Sequence, residues 1–266
     1  MEFDVIKEEP KPGLFGSSMT WILEVLPYLK RSGLRPRWDI DTVCYGQLFP
    51  AILKAKGVAA AAVAATKTVK TQSLVALKKA HGYSFKGDEW TYAHELFFDY
   101  FDIDAGILDA VSSLQLQFSG KTLGIHYRGT DKLGTEATMI SKADVIKNIA
   151  AFLAEHNEYK TIFVASDETE FIRLMESSFG TYKLIFTNST RSLTGRAVHG
   201  PYKDISGAQE AMVDSLTLSK CDFVIKTSSC LSDWVKIWNP TINVYNLNKF
   251  KMDWFPQAMI PVRSFL

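Results

Sequence analysis

Three cysteines in 266 residues, Cys44, Cys221 and Cys230, are too few and too irregularly spaced for a disulfide framework or a zinc site. Long hydrophobic runs are also missing. No stretch approaches the roughly 20 apolar residues that cross a bilayer, and the amino terminus is acidic and broken by Pro10 and Pro12, unlike a signal peptide or signal anchor. A surplus of one charge is absent too: 30 basic and 29 acidic side chains leave a formal charge of +1. Such a chain has no global field to draw nucleic acid or an anionic membrane, so an anionic ligand must be met by local groups. No Gly-x-Gly-x-x-Gly turn follows a strand-like run, which argues against a nicotinamide-dependent enzyme. The chain reads as soluble and cytoplasmic, and its oligomeric state is open. What it does contain, 47% hydrophobic residues, is ample for packed cores.

Short strand-like runs alternate with longer amphipathic segments, the pattern of an α/β protein. The reading gives strands at 3–6 and 36–40 around a helix at 19–31, an Ala-rich helical stretch at 57–80, aromatic core packing over 90–107 and a helix at 107–116. After the linker Phe118-Ser119-Gly120 the rhythm is regular: strands at 122–126, 161–165, 183–186 and 223–226, and helices at 142–155, 168–178, 208–219 and 231–237. Two domains, 1–118 and 119–266, are expected, with the tail 253–266 folding back over the first.

Three strand ends carry chemistry. The first, Lys121 to Glu136, delivers His126, Arg128, Asp131, Lys132 and Glu136 to one spot, with Gly-Thr pairs at 129–130 and 134–135 that let the backbone turn and approach a ligand. An ordinary surface ion-pair cluster is the alternative. The second ends in Ser166-Asp167-Glu168, where Asp167 either caps the next helix or belongs to a site. The third places Asp214 on a helix before a strand and Thr227-Ser228-Ser229 at the entrance to the next helix, either as routine caps or as a phosphate cradle.

The stretch His126-Tyr127-Arg128-Gly129-Thr130-Asp131-Lys132, then Gly134-Thr135-Glu136, resembles the His-x-Arg-x-Thr-Asp-Lys-x-Gly-Thr-Glu signature of the α1,6-fucosyltransferases. Their superfamily also holds the nodulation fucosyltransferases and protein O-fucosyltransferases. Gly129 departs from the family's second Arg. The resemblance, which covers roughly residues 120 to 235, implies a GT-B-like fold of two Rossmann-like domains facing across a cleft. It implies a donor site on the carboxyl-terminal domain and inverting transfer of fucose from GDP-fucose to a hydroxyl of a glycan or glycoconjugate. By the same match Arg128 grips the diphosphate, Glu136 is the base, Lys132 assists it and Asp131 orients Lys132 or Arg128. His126 lies near guanine or ribose, Asp167 organises the nucleotide-sugar site and Asp214 reads guanine. Ser228 and Ser229 contact phosphate beside Thr227, while Cys230, in place of a family serine, offers its backbone amide.

In the amino-terminal half only the loop after the first strand compares with the family's glycine-rich turn, which makes Gly13, Gly16 and Ser17 candidates for phosphate contact. The pairs Asp39-x-Asp41 and Asp102-x-Asp104 would suit a metal-bound diphosphate, but the resemblance implies a metal-independent enzyme with no cofactor. Two other readings stand beside this one: transfer from another nucleotide sugar, and a non-catalytic nucleotide- or glycan-binding relative.

Overall fold

The computed structural model describes residues 4–11, 13–57, 70–129, 136–193 and 204–266. They fall into two compact units, Met1–Leu108 with Gly200–Gln209, and Asp109–His199 with Glu210–Leu266. The division falls at 108/109 rather than at the 118–120 linker.

In the first unit β1 (Val5–Lys11) leads through a π-helical turn at Leu14–Met19 into α1 (Thr20–Arg31), then β2 (Arg37–Thr42) and β3 (Gly46–Gln47). β4 (Leu53–Ala55), β5 (Thr71–Ser73), α2 (Leu74–His81), α3 (Trp90–Tyr100), β6 (Phe101–Ile103) and α4 (Ala105–Gln115) follow. The sheet order is β3-β2-β1-β5, with β1 parallel to β2 and β5, while β4 and β6 form a separate antiparallel pair. α1 buries Ile22, Leu23, Val25, Leu26 and Leu29 on a helical stripe and carries Lys30 and Arg31 at its carboxyl end, where cations suit the dipole. Gly33, at φ +66°, then turns the chain in a conformation that favours glycine. The aromatic segment packs as core: Phe97, Tyr100 and Phe101 are buried, and the Phe101 ring lies 5.3 Å from Trp38 and 5.1 Å from Phe97. Most of the Ala-rich stretch, 58–69, lies outside the described residues.

The second unit is doubly wound. Its elements are β7 (Lys121–Tyr127), α5 (Lys142–Glu155), β8 (Tyr159–Ser166), α6 (Thr169–Phe179), β9 (Lys183–Ile185), α7 (Ile205–Leu218), β10 (Phe223–Lys226), α8 (Cys230–Asp233), α9 (Val235–Trp238) and β11 (Asn243–Asn246). All five strands are parallel, in the order β11-β10-β7-β8-β9. Leu123, Ile125, Ile162, Val164 and Ile225 pack under Val145, Ile149, Phe152, Phe171 and Met175 of the covering helices. α5 begins where Ser141 Oγ accepts the amide of Asp144 at 3.0 Å, a side-chain cap visible in the sequence as Ser before an apolar period. Gly124 lets α7 close on the sheet: a Cβ there would meet Val224, Cys221 and Leu218 at 3.0–3.1 Å.

Several expectations need correction. The helix expected at 231–237 is two single turns, α8 and α9, so the loop at 227–229 leads into one short turn and lacks the dipole of a long helix. Within the second unit the tail packs on its own sheet: Asn246 bridges Val262, and the Phe265 ring lies 5.4 Å from Phe152 and 6.1 Å from Tyr245. α7 starts three residues earlier than expected. The Asp204 amide donates to Cys44 O and Gln209 Nε2 to Ala51 O, so its first residues belong to the first unit.

Candidate active site

β7, β8 and β9 are laid down toward one edge of the sheet and β10 and β11 toward the other, so the chain reverses direction of growth between β7 and β10. Crevices at the carboxyl ends of such strands are where open α/β sheets take ligands. His126 and Lys226 are paired in register at that end, and the two strands then stay linked: the Thr227 amide donates to His126 O at 2.9 Å and the Arg128 amide to Thr227 Oγ1 at 2.8 Å. The first and third strand-end motifs therefore meet directly.

The second joins them. Asp167 Oδ2 lies 3.1 Å from Arg128 Nε, and Asp167 Oδ1 accepts the Gly129 amide at 3.2 Å. The capping alternative for Asp167 fails, because Glu168 occupies the cap position of α6 and makes no side-chain cap bond. A carboxylate held at Nε fixes the guanidinium plane, and with it the direction of the two terminal nitrogens. Asp131, expected to orient Arg128 or Lys132, lies outside the described residues, as does Lys132.

Gly129 has a steric reason. A Cβ there would stand 2.5 Å from both Glu168 Oε1 and Tyr127 Cε1. Glu168 is buried, and its other oxygen is 2.8 Å from Lys142 Nζ, an ammonium that also meets Glu170. Glu168 thus fills the room that a longer residue at 129 would need.

His126 is only 4% exposed, and its Nδ1 lies 2.9 Å from Ser232 Oγ. Burial holds its pKa well below the usual histidine range, helped by the neighbouring Lys226 and Arg128, so the imidazole is neutral near pH 7. Asp214 is 7% exposed and accepts Thr187 Oγ1 at 2.7 Å and Ser189 Oγ at 3.3 Å. Burial pushes its pKa up to about 6, against the two hydroxyls and Arg191, which favour the charged form. Arg191 donates to the carbonyls of Thr187 and Ser189 and so closes that turn over Asp214.

Within the 227–230 loop the side chains divide. The Ser228 amide donates to Asn248 Oδ1 at 2.8 Å and its hydroxyl to Asn248 O at 3.0 Å, so these donors turn inward rather than toward a ligand. Ser229 is buried beside it and its carbonyl accepts Ser232 Oγ. Cys230, half-buried and in no disulfide, is the first residue of α8. Behind the loop Lys226 Nζ, wholly buried, lies 2.7 Å from both Asp233 Oδ1 and Asn246 Oδ1. Burial lowers the lysine pKa and raises that of the aspartate, and their mutual attraction opposes both shifts.

Glu136 sits at the edge of the described chain, its carbonyl accepting the Lys251 amide at 2.9 Å. Of the amino-terminal candidates, Ser17 turns its hydroxyl back onto Gly13 O at 2.8 Å, and Gly13 and Gly16 flank the same turn. The aspartate pairs have lysine partners: Asp102 with Lys56 at 2.9 Å, Asp104 with Lys54 at 3.2 Å and Asp39 with Lys7 at 3.9 Å. Among the described residues no group of three or more His, Cys, Asp or Glu is placed to hold a metal ion.

Sequence reasoning missed Asn248, the Thr187–Ser189–Arg191 turn and the Lys226–Asp233 pair. The lysine ending the apolar run Phe223-Val224-Ile225 was the one signal available, since a buried charge needs a partner.

Residues 106–232 match the family model of alpha-(1,6)-fucosyltransferase N- and catalytic domains. The fold resembles that of NodZ α-1,6-fucosyltransferase co-crystallised with GDP: TM-score 0.57, 16% identity, 89% of this chain and 92% of that one. For fucosyltransferase NodZ from Bradyrhizobium the corresponding values are 0.55, 15%, 89% and 93%. For POFUT1 in complex with GDP they are 0.56, 11%, 94% and 99%. Residues 106–232 are thus similar in sequence to the alpha-(1,6)-fucosyltransferase catalytic domain, and the chain shares the GT-B fold of NodZ and POFUT1.

Proposed function

We propose that the chain is a metal-independent, inverting glycosyltransferase that moves fucose from GDP-fucose to a hydroxyl of a glycan or glycoconjugate. The observation that carries this is the Arg128 clamp, bound to Asp167 by its side chain and to Thr227 by its amide at the switch point of the sheet. Support for the donor comes from the relatives, which bind GDP or were soaked with GDP-fucose.

Departure of GDP leaves an oxocarbenium-like sugar carbon and an extra negative charge on the β-phosphate, so the barrier falls if donors already point at that oxygen. Arg128 supplies a permanent charge and a planar fork, and backbone amides at 229–230 add to it. These groups fill the role a divalent cation would have. Asp214, ionised, accepts the guanine N–H groups, and neutral His126 lines the nucleoside side. Glu136 takes the acceptor proton as the hydroxyl attacks from the opposite face, so a β-linked donor gives an α-fucoside. Lys132 and Asp131, four and five residues before it in sequence, complete the set.

Calorimetry with GDP, UDP and ADP, followed by hydrolysis of GDP-fucose, tests the reading. Binding of GDP alone and release of fucose are expected. Equal affinity for all three nucleotides would overturn it.

A further inference from the structure

Asn248 follows β11 and is 3% exposed, yet its side chain touches both halves of the site proposed above. Its Oδ1 accepts the Ser228 amide at 2.8 Å and its Nδ2 donates to Thr138 O at 2.8 Å. Its own carbonyl takes the Ser228 hydroxyl at 3.0 Å. Ser228 lies in the loop assigned to the departing diphosphate; Thr138 lies two residues after Glu136. Chain next to Asn248 then pairs with the base-bearing segment: Thr138 N donates to Lys249 O at 2.8 Å, Lys249 N to Thr138 Oγ1 at 3.0 Å, and Lys251 N to Glu136 O at 2.9 Å, with Ala137 bridged to Phe250.

We infer that Asn248 is a positioning residue that sets the spacing between the phosphate loop at 227–229 and the segment 136–138 that carries the base. The inference rests on the reading of those two segments given above. The side chain must be an amide. One partner is a backbone N–H, which can only donate, and the other a carbonyl, which can only accept, so the O and N assignment is forced and a carboxylate fails at the second contact. Aspartate would also set a negative charge beside the loop. Alanine would leave both buried backbone groups without their partner.

The same tie explains why the donors of Ser228 face inward: they anchor the loop, leaving phosphate contact to its neighbours. It gives the 248–251 segment a task in catalysis through its backbone pairing with 136–138. A base held by its main chain needs no reorganisation when the acceptor arrives, the kind of preorganisation that raises kcat more than affinity.

The test compares the full-length chain with Asn248→Ala and Asn248→Asp on three readouts. Amide hydrogen exchange of peptides spanning 226–229, 136–140 and 249–252 should accelerate together in Asn248→Ala, by about 10- to 100-fold, the loss of one buried hydrogen-bonded partner, whereas Asn248→Asp, which can still accept the Ser228 amide, should accelerate mainly 136–140 and 249–252. GDP affinity should fall by no more than about threefold in Asn248→Ala, while kcat for fucosyl transfer falls by about 30-fold or more, with Asp the worse variant. Faster exchange at 226–229 alone, or a fall in kcat that merely follows GDP affinity, would overturn the inference. A wild-type chain that does not bind GDP would defeat the functional reading instead, and the exchange arm would still decide whether Asn248 couples the two segments.

Discussion

At Arg128 the geometry asks for a fork and not simply a positive charge, because Asp167 holds Nε and so aims the remainder. Arg128→Lys should therefore lose most activity, about 100-fold or more in kcat/KM, the scale set by deleting one preorganised donor at a developing charge. Steady-state kinetics with circular dichroism as a fold control checks it. Gly129 makes an opposite case. Introducing the second arginine of the α1,6-fucosyltransferase signature by Gly129→Arg should destabilise the chain by about 1–3 kcal/mol through overpacking against Glu168 and Tyr127. Adding Glu168→Asp should recover part of that loss in thermal melts. The sign of pH effects at Asp214 follows from its raised pKa of about 6. Its ionisation in the fold is penalised, so its contribution to stability is lost as pH rises from about 4 through 6. Recognition of guanine by the carboxylate runs the other way, and GDP affinity should fall as pH drops below about 6. Calorimetric titration between pH 5 and 8 measures it.

At the scale of elements, the regular second half was legible because each strand and helix announces its own period and each switch carries a Gly, Ser or Asp. β10 and α5 fall on the residues the pattern gives. The short pairings β3, β4 and β6 and the strand β11 were not, since none of them carries the continuous apolar run that marks β10. Nor could spacing reveal that Asp167 turns to Arg128 and away from its helix, or that Asn248 lies against Thr138 over a separation of 110 residues. Such contacts are made by the strand order, which follows from the whole topology. Gly124 shows what that order demands of one element. Gly124→Ala should cost about 1 kcal/mol or more, because Val224, Cys221 and Leu218 must each give way. Denaturant unfolding reports it. The Lys226–Asp233 pair in β10 and α8 should behave differently. Lys226→Met alone strands a buried carboxylate and should cost about 3–5 kcal/mol, whereas adding Asp233→Leu should recover part of that loss and adding Asn246→Leu as well should recover more, since Asn246 Oδ1 also depends on the ammonium.

For the whole molecule, a near-zero net charge means that an anionic ligand must be met by a few local groups and not by a diffuse field. All the described residues assigned to the donor, apart from the amino-terminal turn, lie in the second unit, so GDP should raise the melting transition of that unit. At 100 times its dissociation constant the ligand adds about 2.7 kcal/mol, readily seen by scanning calorimetry. The first unit is assembled from two separate stretches, Met1–Leu108 and Gly200–Gln209, joined by Asp204 to Cys44 and Gln209 to Ala51. During synthesis its final piece leaves the ribosome only after β7, β8 and β9 have already emerged. An amino-terminal product ending near residue 108 would lack a part of its own fold, and the nascent chain must keep that half waiting until residue 209 has been added.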